Sequence, residues 1–186
     1  MLFVLLNLST SGIQNFSVAA LVAGYGVELS LANVALTSFL FASAFGVLAG
    51  DAVADRTSRH GHVAIIAFLL TTSLILRVAV VRLPSAVLVL VMSTAGFLSG
   101  VIAPSREMLV RSAAQPGAEG RVFGIVSTGF NIGGVARPIL FGWLLDHAVP
   151  QFVFGTSVVF MVLTVGLPLF QERRRPAAPM DGRIIR

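Results

Sequence analysis

The amino-acid sequence predicts an all-α membrane protein with six transmembrane helices. Of its 186 residues, 56% are hydrophobic and only 11% are charged, and the mean hydropathy is +0.92. So few charges cannot form the polar surface of a water-soluble domain. The apolar residues also fall into runs of about 20, the length that crosses the hydrocarbon core of a bilayer as a helix. We therefore expect the lipid bilayer to surround the chain.

Six runs have this length, and charge is concentrated in the segments between them. The predicted spans are residues 1–27, 29–50, 63–81, 83–105, 122–145 and 148–171, followed by a basic tail at 172–186. The first span begins at once, without the charged leader of a signal peptide, and it contains many polar side chains. We therefore expect it to be an interior helix of a longer protein.

The arginines predict the orientation of the spans. Ten of them lie in the segments 51–62 and 106–121 and in the tail, whereas only Arg77 and Arg82 lie toward the other side. Because basic residues favour the cytoplasmic side of a membrane, both ends of this segment are expected in the cytoplasm. The expected location is the inner (plasma) membrane of a bacterium.

Several function classes are excluded by composition. The chain has no cysteine, so disulfides, thiolate catalysis and cysteine-bound metals are ruled out. The three histidines, His60, His62 and His147, lie at the ends of apolar runs, which leaves an intramembrane serine protease without a buried base. We expect no enzymatic activity, no metal and no cofactor. The net charge of +5 is typical of basic cytoplasmic loops and does not predict nucleic-acid binding.

Polar side chains inside the first span form a candidate site for a small-molecule substrate. Asn7, Ser11 and Gln14 share one face through i, i+4, i+7 spacing, and Asn15 lies beside them. Polar groups within a membrane either mark a solute pathway or hydrogen-bond neighbouring helices. Both interpretations stay open for this cluster.

The fifth span contributes Asn131, on one face with Gly134 and Pro138, and the intramembrane cation Arg137. Arg137 lies fifteen residues beyond Val122, about 22 Å along the helix and so in the outer third of the hydrocarbon core. Its guanidinium either binds an anionic substrate, pairs with an acid outside this segment, or snorkels to the outer interface. The sequence does not decide among the three.

Glycines at small-xxx-small spacing predict close helix packing. The spacing recurs at Gly46–Gly50, Gly96–Gly100, Gly120–Gly124 and Gly129–Gly133. In the fifth span the predicted helix-packing residues are Gly129, Gly133, Gly134, Pro138 and Gly142.

A charged stretch, GDAVADRTSRH at residues 50–60, separates the second and third spans. Its acids and arginines either form a solvated hairpin loop or pair across the cytoplasmic ends of neighbouring helices. The order Gly50, then Asp55-Arg56, then Arg59, two spans in from the start, resembles the loop signature of the major facilitator superfamily. Asp51 and Ser58 stand where glycines are common in that signature, and His60 replaces a basic residue.

A second stretch, residues 104–146, supports the same resemblance. It is similar to the loop before the eleventh helix of these transporters together with that helix, in its Gly120-Arg121 helix start and its ending in Pro138, Gly142 and Asp146. The resemblance covers nearly the whole chain, which is identified as helices seven to twelve, the C-terminal half of a twelve-helix bundle.

The resemblance implies a secondary active transporter that moves a small solute by alternating access. It implies that Gly50, Asp51, Asp55, Arg56 and Arg59 form a cytoplasmic latch against the N-terminal half. The fourth span would be the tenth helix, which lines the central cavity in the family and would offer Ser93 and Phe97. The partner is either the upstream six-helix half or a second copy, in a self-contained six-helix carrier that dimerises. A non-transporting scaffold or sensor is the third alternative.

Overall fold

The computed structural model describes residues 2–56, 60–112, 119–147 and 150–174, and in these residues it is entirely helical apart from short connections. The six helices are α1 (Leu2–Tyr25), α2 (Leu29–Arg56), α3 (His60–Val80), α4 (Ser85–Ser112), α5 (Glu119–His147) and α6 (Phe152–Arg174). The predicted all-α class is therefore confirmed for the described part of the chain.

Three segments of the described chain are long and apolar enough to cross a membrane. They are Leu29–Arg56, Val63–Val80 and Ser85–Pro104. A shorter apolar segment, Phe152–Thr164, lies in α6. Membrane crossing by α1, α5 and α6 stays a prediction.

The helices extend further at their charged ends than the predicted spans do. Helix α2 continues to Arg56 and α4 to Ser112, so much of the two predicted charged loops is helical. The 28 residues of α2 measure about 42 Å, whereas the hydrocarbon core is only about 30 Å thick. The last turns of α2 can therefore stay helical while their charged side chains reach water.

Helix α1 ends in a left-handed cap at Gly26. The φ angle of Gly26 is +68°, a conformation that glycine adopts without steric penalty. The Gly26 N–H donates to the Val22 carbonyl at 3.2 Å, and the Val27 N–H donates to the Leu21 carbonyl at 3.1 Å. This tight turn lets α2 begin at Leu29.

The main helix contacts of the two halves of the chain are similar. Helix α1 contacts α5 and α6, α4 contacts α2 and α3, and α3 contacts α6. Exchanging α1, α2 and α3 for α4, α5 and α6 maps these contacts onto one another, but not the smaller contacts of α1 with α2 and of α5 with α6. Helices α3 and α6 contact each other, α3 also contacts α4, and α6 also contacts α1.

The most extensive packing joins α2 and α4, and it depends on glycines. A Cβ added to Gly46 would meet the backbone of Phe97, and one on Gly50 would lie 2.9 Å from the Cα of Val101. In the other direction, a Cβ on Gly96 would lie 2.9 Å from the Cα of Phe39. The small-xxx-small prediction is therefore confirmed for Gly46–Gly50 and Gly96–Gly100, and we call this contact the α2–α4 seam.

Side-chain hydrogen bonds hold the end of α1 to its neighbours. Gln151 Nε2 donates to the Gly24 carbonyl at 2.7 Å, and Tyr25 Oη donates to the Ala79 carbonyl at 2.7 Å. Both acceptors lie in the last turn of a helix, where carbonyls have no partner within the helix.

Replacing Gln151 by leucine is expected to destabilise the protein by about 1 kcal/mol, because the Gly24 carbonyl loses its donor. In detergent the melting temperature should fall by about 2–4 °C. Gln14→Leu is the control, since the Gln14 side chain is exposed and makes no hydrogen bond with the described residues. Equal losses in the two variants would contradict the anchoring role of Gln151.

Candidate functional site

The polar side chains of α1 separate into a hydrogen-bonded chain and one open amide. Ser11 Oγ donates to Asn7 Oδ1 at 3.0 Å, and Asn15 Nδ2 donates to the Ser11 carbonyl at 3.0 Å. Ser11 is buried, whereas Asn15 is exposed. Gln14 is exposed near the middle of α1 and has no hydrogen bond among the described residues.

The same part of α1 also packs against α5, through side chains other than these amides. The Phe16 ring stacks on the Phe141 ring with 5.4 Å between centroids. A Cβ added to Gly12 would meet the same Phe141 ring and the Ser157 hydroxyl. Gln14 and Asn15 fall between Gly12 and Phe16 in the sequence, but Gln14 is about 160° from both around the helix and so faces away from α5.

Helix α5 has three distinct faces. Large apolar side chains are exposed along one of them: Ile125, Ile132, Ile139 and Trp143. A second face, on which Phe141 is fully buried and Gly133 is buried, packs against the bundle. A third, which we call the open face, carries Gly124, Asn131, Pro138 and Gly142 within about 40° of one another.

The glycines of α5 differ from those of the α2–α4 seam. Cβ atoms added at Gly120, Gly124, Gly134 or Gly142 would meet nothing within 4 Å among the described residues. Close packing within this chain was predicted for Gly120–Gly124, Gly134 and Gly142, and in the described residues it is not found. Gly133 is buried, Gly129 is half-buried and Pro138 is exposed.

The open face contains the second amide of interest. Asn131 is exposed near the middle of α5 and makes no hydrogen bond within the described chain. An amide without a hydrogen-bond partner in hydrocarbon is unfavourable by roughly 2–7 kcal/mol. Gln14 and Asn131 therefore require water, a solute or a polar partner beside them.

The fourth-span candidates are placed differently. Ser93 is half-buried, and its hydroxyl donates to the Val89 carbonyl of the same helix at 2.8 Å. Phe97 is 39% exposed, while its backbone contributes to the α2–α4 seam. Phe97 can thus contact a solute, whereas the Ser93 hydroxyl is already engaged.

The predicted latch residues lie on the last turns of α2, as far as the structure describes them. Asp51, Asp55 and Arg56 are exposed, as charges that meet water or a partner would be. Gly50, by contrast, is buried against Val101 in the α2–α4 seam. Arg59 lies outside the described residues.

Some exposed polar side chains were not singled out from the sequence. On α2 these are Asn33 and Thr37, and on α5 they are Ser127 and Thr128. Thr128 donates to the Gly124 carbonyl at 2.8 Å, so its hydroxyl tolerates an apolar neighbour. Asn33 has no such bond among the described residues. Its amide lies within a predicted span, and this feature could have identified Asn33 from the sequence.

A small cavity of about 50 Å³ lies between the ends of α1, α3 and α4. Its lining is Leu21, Tyr25, Val27, Val78, Val81, Arg82, Leu83 and Leu88. Small-molecule sites measure roughly 300–1,000 Å³, so this cavity is too small for a whole solute. Nor do the described residues contain a group of three or more potential metal ligands.

Comparison with known protein families identifies the family. Residues 1–183 match the sequence profile of the Major Facilitator Superfamily. The chain belongs to this superfamily. Searches of curated proteins and of solved structures gave no significant match.

Membership in the superfamily establishes the general properties of the chain. Major facilitator proteins are transporters of the membrane, and the three long apolar segments described above agree with that location. The chain is therefore an integral membrane protein of a transporter family.

Proposed function

We propose that the chain is the C-terminal half, helices seven to twelve, of a twelve-helix facilitator that moves a small polar solute by alternating access. The observation that supports a solute pathway is the pair of exposed amides, Gln14 and Asn131, near the middle of two contacting helices. Amides at this depth are satisfied by a water-filled cavity or by a polar solute.

The order of the motifs supports the assignment to the C-terminal half. The Asp55-Arg56 pair ends the second helix, and the glycine-rich α5 is the fifth helix, as in helices eight and eleven of the resemblance. In such transporters the solute lies near the midplane between two halves. The open face of α5 and the exposed acids of α2 are then surfaces for the upstream half, and both ends of the segment lie in the cytoplasm of a bacterium. The protein moves its solute without converting it chemically.

The mass of the native membrane protein tests this assignment. With a tag at the C-terminus of the chromosomal gene, the membrane-inserted product should have roughly twice the 19.6 kDa of this chain, as two homologous halves require. A product of 19.6 kDa would contradict the assignment. A six-helix carrier acting as a homodimer would then be favoured, and crosslinking across its twofold axis would test it.

A further inference from the structure

Arg137 lies on the packing face of α5 and not on the face that is exposed to lipid. At 100° per residue it is about 40° from the buried residues Phe141 and Gly133 on the helix wheel. It is about 140° from Ile132 and about 160° from Ile139, which belong to the exposed apolar face. The side chain is nevertheless only half-buried, so it can contact something besides the bundle.

No counter-charge for Arg137 is found within the described residues. The acids whose side chains are described, Glu28, Asp51, Asp55 and Asp146, are all exposed and lie near helix ends. The nearest of them along α5 is Asp146, nine residues on, which places it about 13.5 Å further and on the opposite side of the helix. A half-buried charge of this kind requires a partner of opposite sign.

An open notch separates Arg137 from Asn131. Gly134 lies three residues from each and about 60° from each around the helix. A Cβ on Gly134 would meet nothing within 4 Å among the described residues. Pro138 also has no N–H to donate to the Gly134 carbonyl four residues earlier, so this acceptor lacks its usual helical partner. Nearly two turns of α5 thus present a cation, an amide and a free carbonyl around a space that no described residue occupies.

We propose that this notch binds the anionic end of the transported solute. The Arg137 guanidinium pairs with a carboxylate or phosphate group, which it can contact through two parallel hydrogen bonds. Asn131 and the Gly134 carbonyl accept hydrogen bonds from a hydroxyl or amine of the same solute. The solute class is therefore a small organic anion that carries a hydrogen-bond donor. This inference rests on the proposed transport function and adds the chemical class of the solute.

Thermal unfolding of the whole purified transporter tests the notch. Lactate and inorganic phosphate are the anionic probes, and glycerol is the uncharged one. An anion should raise the melting temperature of the wild type by about 1–2 °C at several times its dissociation constant. Arg137→Gln should abolish this rise without lowering the melting temperature of the empty protein, because its charge has no partner there. Arg77→Gln, at the end of α3, is the matched control and should keep the response.

A second variant tests the empty space rather than the charge. Gly134→Leu should fill the notch and remove the anion response while leaving the empty protein as stable as the wild type. Gly155→Leu, at an open glycine of α6, should keep the response.

Three results would overturn the proposal. A lower melting temperature for empty Arg137→Gln would indicate a fixed acid in the upstream half as the partner. A lower melting temperature for empty Gly134→Leu, with Gly155→Leu unaffected, would indicate that a helix fills the notch. Binding of the anion in the notch would be excluded if either anion raised the melting temperatures of the wild type and Arg137→Gln equally. It would also be excluded if neither anion raised the melting temperature of the wild type. Each of these is separate from a failure of the proposed function, which the mass of the tagged native product reports.

Discussion

Replacing Gly100 by alanine is expected to lower the melting temperature of the purified protein by about 3–10 °C. The added Cβ would meet the Ser43 carbonyl, and it would lie 2.9 Å from the backbone nitrogen of Val47 and 3.0 Å from the carbonyl carbon of Gly46. All three neighbours are backbone atoms, so no side chain can rotate away. Helices α2 and α4 must therefore move apart along the seam, and the contacts above and below Gly100 weaken with them.

A matched control separates this clash from the general effect of placing alanine in a helix. Gly155→Ala lies in α6, where an added Cβ meets nothing within 4 Å among the described residues. Alanine is favoured over glycine inside a helix by up to about 1 kcal/mol, so Gly155→Ala should be neutral or stabilising. If both variants melt at the same temperature, the α2–α4 seam is looser than the structure indicates.

The same contrast shows how far glycine spacing can be interpreted from the sequence. Gly46–Gly50 and Gly120–Gly124 have identical spacing, yet the first pair lies in the seam, whereas no described residue packs against the second. Spacing establishes that a helix has a small-residue face. It does not establish which neighbour, if any, lies against that face, because the neighbour is set by the arrangement of the whole bundle.

The amides of α1 illustrate a second limit. The sequence placed Asn7, Ser11 and Gln14 on one face, but the hydrogen bonds follow the i, i+4 series from Asn7 to Ser11 and on to Asn15. The three residues of this series lie one above the other on the helix, so each can form a hydrogen bond with the next. Gln14, one residue off the series, stays open. The composition of the candidate site was therefore predictable, but its division into satisfied and open groups was not.

The charged ends of the helices illustrate a third limit of prediction from the sequence. The sequence indicated where charge begins, at Asp51, and a loop was predicted from that point. Helix α2 continues through Asp55 to Arg56 instead, because a helix can leave the hydrocarbon core without losing its backbone hydrogen bonds. Hydropathy reports the membrane boundary, whereas the helix end is set by its caps and connections.

Cysteine introduced at Asn131 is expected to react with a water-soluble, membrane-impermeant thiol reagent, whereas cysteine at the neighbouring Ile132 is not. Asn131 lies on the open face of α5, where we propose that a solute pathway passes, and Ile132 lies on the exposed apolar face. A thiol reacts as its thiolate, which water stabilises and hydrocarbon does not, so we expect labelling rates to differ by about tenfold or more. Because this chain contains no cysteine, the only native thiols to replace beforehand would be any in the upstream half.

Labelling of Gln14→Cys extends the measurement to α1, and a transport assay after labelling measures the functional effect. Gln14→Cys should label as readily as Asn131→Cys, since both side chains are exposed near the middle of contacting helices. Labelling at either position should also stop transport by the whole protein, because the attached group occupies the solute pathway, whereas Ile139→Cys should transport normally after the same treatment. If Asn131→Cys labels no faster than Ile132→Cys, the open face is covered by lipid or by a tightly packed helix. The amides then stabilise contacts between helices, and the pathway has to be sought along α2 and α4, where Thr37 and Phe97 are exposed.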